Sequence, residues 1–333
     1  MKKISKTICL VSLSFSISAS NAAEISTFKL GSATGKLSGL LQLWNFSKNN
    51  SDINNLNFRL RRAEVKIGGA ISEPLSYFFM VDPAKLVQSS AVPVPVSCLF
   101  QDFGLSYSVV PGFVVTAGQF KIPTTAEGLD PSADLPLLER SLVGRTYGDK
   151  REVGVKVNYK ENVWNVATML SIGRPANSPG TSDLNNLMVR GELTSNTDLG
   201  VGTFASVEDF DFSKKGRWGV NVRYKINKFD FRTEYAQGQD KGKRSVGMTN
   251  ELGYWLTENI ESVVRYEFFN ANTILTVLGR AESFGLNYWV SRPNMKVQLV
   301  ASALQDMVNT NGSPSLAPGG NNQFLAVGLQ GSI

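Results

Sequence analysis

The stretch KFDFRTEYA, residues 228–236, alternates at every position. Phe229, Phe231, Thr233 and Tyr235 fall on one parity; Lys228, Asp230, Arg232 and Glu234 fall on the other. A period of two is the signature of a β-strand, here with one aromatic-rich face and one fully charged face. A soluble sheet would bury the aromatics and wet the charges. The rest of the chain decides whether that holds here.

The same alternation recurs in FRLRRAEVKIGGAI (58–71), REVGVKVNY (151–159), RWGVNVRYK (217–225), NIESVVRYEFF (259–269) and NMKVQLVAS (294–302). Weaker candidates lie at 36–46, 75–82, 99–109, 113–121, 163–172, 187–194, 199–206, 247–257, 281–290 and 324–333, for sixteen strands in all. Short turn signals, such as Pro111-Gly112, Ile226-Asn227 and Arg292-Pro293, alternate with longer polar stretches near 47–57, 83–98, 122–150, 174–186, 207–216, 237–246, 270–280 and 304–322. An even number of strands with unequal ends is the layout of an outer-membrane barrel, with short periplasmic turns and long external loops. A secreted sandwich also alternates, but its connections need not alternate in length and it seldom holds sixteen strands in one domain. The expected fold is therefore all-β, a sixteen-stranded transmembrane antiparallel barrel. Trp44, Trp164, Trp218, Tyr224, Tyr235, Tyr254 and Tyr266 sit where aromatic girdles are expected.

The start of the chain agrees with export. MKKISK is basic, TICLVSLSFSI is apolar, and SASNAAE supplies small residues, so residues 1–22 read as a secretory signal peptide and 23–333 as the barrel. Removing the three leader lysines takes the net charge from +6 to +3. No concentrated basic stripe remains for nucleic acid. The longest later uncharged run, 103–120, is broken at Pro111-Gly112 into two strands and a turn. Cys98 stands alone after the leader, so no intramolecular disulfide is expected. The chain has 0 histidines, which removes Ser–His and Cys–His chemistry and histidine-ligated metals.

Several motifs resemble the phosphate-selective porin O and P family of outer-membrane proteins. They are FRLRRAEVKIGGAI, AGQFKIPTTAEGL followed by LPLLERSL, KREVGVKV, FRTEYAQG, YWLTENIESVVRYEFF and SFGLNYWVSRPNMKVQLV, in that order along the chain. The resemblance implies a sixteen-stranded barrel, usually a homotrimer, with a third external loop folded inward to narrow the pore. It also implies basic residues along the channel that favour anions such as phosphate in some members. The chain departs from the common pattern of outer-membrane barrels by ending in Ile333 rather than Phe.

With the apolar face on lipid, the polar face lines water, because Arg or Lys facing mid-bilayer costs about 2–4 kcal/mol. The inward basic set is then Arg62, Lys66, Lys121, Lys156, Arg190, Arg217, Arg223, Lys225, Arg232, Arg265 and Lys296. An acidic set of nearly equal size opposes it: Glu64, Asp82, Asp102, Glu152, Glu192, Asp230, Glu234, Glu251, Glu261 and Glu267. Such a wall predicts cross-strand pairing rather than a single-signed field. Selectivity is expected instead from the longest loop, where Lys121, Arg140, Arg145, Lys150 and Arg151 outnumber Glu139 and Asp149. Asp134-Leu135-Pro136 is expected to start a short helix through Leu142, with Glu127 and Glu139 anchoring the loop. No cofactor or metal is expected; Glu208, Asp209 and Asp211 read as an exposed acidic loop rather than a calcium site. The expected partners are outer-membrane lipid and small ions or anionic solutes. The competing functions are a barrel enzyme, which the missing histidine opposes, and a plugged structural or adhesive barrel.

Overall fold

The computed structural model describes residues 27–30, 33–48, 57–88, 96–178, 183–195, 198–209, 214–273, 278–310, 313–315 and 322–333. The leader read at 1–22 lies outside the described residues. Sixteen strands close into one antiparallel barrel: β1 (Ala33–Lys48), β2 (Asn57–Ser72), β3 (Leu75–Val81), β4 (Phe100–Val110), β5 (Phe113–Lys121), β6 (Arg151–Glu161), β7 (Trp164–Ser171), β8 (Asn186–Thr194), β9 (Leu199–Glu208), β10 (Lys215–Ile226), β11 (Phe229–Asp240), β12 (Lys243–Trp255), β13 (Ile260–Asn270), β14 (Leu278–Ser291), β15 (Met295–Gln305) and β16 (Asn322–Ser332). Each strand pairs with the next, and β16 closes the ring on β1 from Phe324↔Lys48 to Ser332↔Leu40. Ile333 extends the seam, exchanging backbone hydrogen bonds with Gly39 at 3.1 Å. A short strand, Thr27–Leu30, folds back on the start of β1. Closure leaves no unpaired edge in the sixteen-strand ring, the condition a sheet must meet to sit in lipid. Among the described residues no helix is long and apolar enough to cross a membrane.

Burial is inverted relative to a soluble protein. On β13, Val264 is 53% exposed and Tyr266 41%, while Arg265 between them is 4% exposed. Phe229 and Phe231 of the opening stretch are exposed and Asp230 and Glu234 buried. The apolar parity faces outward to the lipid and the charged parity faces inward. Trp218 stacks on Tyr235 at 5.6 Å on this outer face, and Phe229 on Tyr254 at 4.7 Å. Trp44 is an exception to the expected girdle. It shares a parity with Leu40 and Gln42, points inward and is 2% exposed.

The two ends differ as expected, with one correction. The connections at 73–74, 111–112, 162–163, 195–198, 227–228, 256–259 and 292–294 are short, and most opposite connections are longer. The long loop expected at 237–246 is absent. β11 and β12 instead run on to a two-residue turn, Lys241-Gly242, with φ of +46° and +84°. Two consecutive positive φ values fit the tight hairpin turn that follows a right-handed strand twist. Beyond the bilayer both faces of these strands are polar, so the period-two signal fades before the strands end.

Candidate functional site

The third external loop, 122–150, folds into the barrel and is held there by the wall. Each junction joins a strand side chain to loop backbone or a loop carboxylate. Glu234 of β11 accepts from the backbone N–H of Ala126 at 2.6 Å and of Glu127 at 3.3 Å. Glu267 of β13 accepts from Leu142 N–H at 2.9 Å. Arg265 donates to the Glu139 carbonyl at 2.8 Å and the Glu127 carboxylate at 2.7 Å while holding Glu251 of β12. Lys296 of β15 donates to the Leu135 carbonyl at 2.7 Å, and Asn287 of β14 to that of Pro136 at 2.8 Å. Arg223 of β10 grips Asp130 with two parallel bonds of 2.8 and 2.7 Å. Gln42 of β1 and Gln330 of β16 donate to the carbonyls of Ser132 and Ala133.

This capture explains why the helix expected over 134–142 does not form. Ser132–Asp134 is a single 3₁₀ turn, the short helices are Ala126–Leu129 and the π-turn Gly144–Gly148, and 135–140 are irregular. The carbonyls that a helix would use internally are taken by Lys296, Asn287 and Gln298. Buried backbone groups need partners, and here the wall supplies them.

Apolar packing seals the same side. Leu142, Val143 and Tyr147 cluster with Phe204, Ala236, Phe269, Ala281, Leu304 and Met307. Leu137 and Leu138 pack on Trp44, Val263, Val300 and Ala326. Gly285 of β14 and Gly328 of β16 make this approach possible, since a Cβ there would lie 2.4 Å from Leu137 and 2.2 Å from Leu138. Inward-facing Val263, Phe269, Val300 and Ala326 carried a sequence signal: apolar residues on an otherwise polar parity.

A second clasp joins the loop to β2. The register slips there, with Gln42 opposite Arg62 but Leu43 opposite Leu60, so Arg61 is the extra residue of a β-bulge. Arg61 and Arg62 both turn inward, and with Arg145 they surround the Glu139 carboxylate; Arg145 lies 3.0 Å from it. Burial works to raise the Glu139 carboxyl, and the three guanidiniums overcome it, holding it well below the usual carboxylate range. Strict alternation assigns Arg61 to the lipid side and misses it. Arginines on that face, here Arg59 and Arg61, are themselves a signal for a bulge, given their cost in the bilayer.

The sequence-predicted basic residues separate into four groups. Arg140 is 1% exposed and donates to the carbonyls of Glu127 at 3.0 Å and Asp130 at 2.5 Å, so it staples the loop to itself. Arg62, Arg145, Arg223, Arg232 and Arg265 are held in ion pairs. Arg217 lies over the Tyr147 ring and Lys156 over that of Phe120; Lys150 is exposed, with like-charged Arg217 and Lys215 acting on it. The last group shares one void. Lys66, Lys121 and Arg151 line a cavity of about 260 Å³ with Glu64 and Asp102, closed on the loop side by Leu129, Pro131, Ser132 and Ala133. Arg151 pairs with Asp102 at 2.7 Å, and Lys121 reaches the carbonyls of Gly128 and Asp130 at 2.7 and 2.9 Å. Lys66 has no ion pair among the described residues and is exposed. Beside this void, burial raises the Asp149 carboxyl and the charges of Arg140, Lys121, Arg151 and Arg62 outweigh it, leaving it at about 2. Two gaps on the opposite side of the loop measure about 20 and 30 Å³, room for only a water or two.

The closed barrel has counterparts among known outer-membrane porins. The family profile for phosphate-selective porin O and P matches residues 42–251. The chain belongs to this family. The porin fold recurs in the anion-selective porin of Comamonas acidovorans, at a TM-score of 0.65 and 11% identity, covering 90% of this chain and 100% of that one. OmpF of Salmonella typhi is similar at 0.62 and 13% identity, covering 92% of this porin and 100% of its own chain. OmpT of Vibrio cholerae, in its trimer form, is similar at 0.59 and 12%, covering 90% and 99%. No curated protein matches by sequence. The porin is thus an outer-membrane channel protein. Its acidic rim residues Glu208 and Asp209 pair with Lys215 and Lys214, and Asp211 lies outside the described residues. Among the described residues no group of acidic, cysteine or histidine side chains has the spacing of a metal site.

Proposed function

We propose that small hydrophilic solutes cross this porin by passive diffusion along an off-centre path, between the third loop and the wall formed by β1–β6, and that the path favours anions. The observation that carries the reading is the contrast in space: about 260 Å³ beside Lys66, Lys121 and Arg151, against about 20 and 30 Å³ on the other side of the loop. Three cations and two carboxylates line the open side, and Arg151 already neutralises Asp102. The remaining field is mildly positive, which focuses anions at a narrow, low-dielectric passage. Lys66 is the least committed of the three and is the residue we assign to solute contact.

Planar-bilayer recording tests the reading. Discrete conductance steps and a reversal potential of anion sign in a KCl gradient are expected; an absence of steps, or a cation-selective potential, overturns it. Histidine-dependent hydrolytic chemistry has no residue in this chain to perform it, so a channel rather than an enzyme is the function we infer. We also infer a homotrimer, supported by the family and by the broad apolar outer face; a monomer mass in native detergent solution would exclude it.

A further inference from the structure

One corner of the external rim carries charge that neither the pore nor the loop uses. It lies at the hairpin of β11 and β12, whose two-residue turn is the shortest external connection by its bounds. A short turn holds the strand ends near the bilayer surface. On these strands Tyr235, Gln237 and Gln239 share the outward parity with Arg244, Val246 and Met248, since Gln239 opposes Arg244 and Tyr235 opposes Met248. Tyr235 and Trp218 form the outward aromatic pair described above, a mark of the interfacial layer. From that pair toward the rim, the outward residues change from aromatic to amide to cation.

Lys241 and Arg244 are both exposed, and neither has an ion pair among the described residues. Their neighbours differ: Lys214 and Lys215 are held by Asp209 and Glu208. Asp240 and Lys243 face each other on the inward parity. Arg280, another outward cation, differs in having the carboxylate of outward Glu282 two residues away on the same face of its strand.

We propose that Lys241 and Arg244 bind the phosphate groups of an outer-leaflet lipid headgroup. A guanidinium offers phosphate two parallel hydrogen bonds and an ammonium adds a point charge. Arg244 on the outward parity and Lys241 in the turn beside it stand beyond the aromatic layer, which brings them to headgroup phosphates rather than to a solute in the lumen. A cation near an anionic headgroup plane contributes a preference of about five-fold.

The probe is diphosphoryl lipid A against its dephosphorylated form, titrated onto the folded full-length protein in neutral detergent. The wild type is expected to prefer the phosphorylated form. The double substitution Lys241→Ala with Arg244→Ala is expected to reduce that preference about thirty-fold, the product of two such contributions. Arg280→Ala, the control cation, is expected to leave it in place. Single-channel conductance and reversal potential stay unchanged in the double variant, showing an intact barrel and separating this site from the pore assignment. Equal affinity of the wild type for the two lipids, or an undiminished preference in the double variant, overturns the proposal. So does full displacement by low-millimolar inorganic phosphate, which would make it a free-anion site.

Discussion

The two halves of the barrel interior meet the same loop in different ways. Along β9–β16 and β1, the wall presents Phe204, Phe269, Val263, Val300 and Trp44, and the loop packs on them as a dry core. Its charged residues, Arg265, Lys296 and Glu267, are buried and bound to loop backbone. Along β2–β6 the wall presents Glu64, Lys66, Asp102, Lys121 and Arg151, and the loop stands off behind a cavity. One half is a clamp and the other a passage. The same residue types serve both ends, so a lysine inside the barrel is no evidence of solute contact until its partners are known.

The largest effect is expected from breaking the clasp at the junction of the halves. Glu139→Ala leaves Arg61 and Arg62 buried without their counter-charge, a loss of about 3–5 kcal/mol. It should lower the urea midpoint of the folded porin and make the conductance larger and noisier; an unchanged midpoint would mean the loop is held by packing alone. The glycine seats come next. Gly328→Val places a side chain where Leu138 lies and is expected to cost about 1–3 kcal/mol. The displaced loop should then narrow the cavity and reduce conductance, whereas β-strand circular dichroism should persist.

Acid probes a separate set of ion pairs, those of Asp149 with Lys121 and Arg140. The Asp149 carboxyl is held at about 2, below its unfolded value near 3.8, so its contribution is fully present above the unfolded value. That contribution, about 2 kcal/mol, should be constant from pH 7 to 5 and disappear as pH falls below 4 toward 2. Asp149→Asn should flatten this part of the urea-midpoint profile; an unaltered slope would assign the acid loss to other groups. The smallest effect tests the passage. Lys66→Glu should shift the reversal potential toward cations by a few-fold in permeability ratio, while Arg223→Gln, on the clamped side, should leave the ratio in place. Equal shifts for both would erase the distinction between the halves.

Much of the barrel was legible because period two is a local property. Phe229, Asp230, Phe231 and Arg232 announce a strand with two chemically opposed faces, and the recurrence of that pattern supplied all sixteen strands. The errors came where local parity is overridden. At Arg61 a bulge turns two consecutive arginines inward, at Lys241-Gly242 a hairpin continues where polarity on both faces suggested a loop, and at Trp44 an aromatic belongs to the loop's seat rather than the girdle. The expected helix through Leu142 failed for a related reason, because strand side chains far away in sequence take its carbonyls.

The sequence by itself determined that this chain forms an outer-membrane barrel with a charged interior, since lipid and water select opposite parities of the same strand. It also marked Lys121 and Arg151 at the edges of the decisive loop. Only the tertiary structure decided which charges remain open to solute. A side chain's availability depends on where the third loop's carbonyls and carboxylates come to rest, and those contacts span up to 197 positions of chain, as between Gln330 and Ala133. No local pattern encodes a pairing at that range; it follows from closing the barrel around the loop.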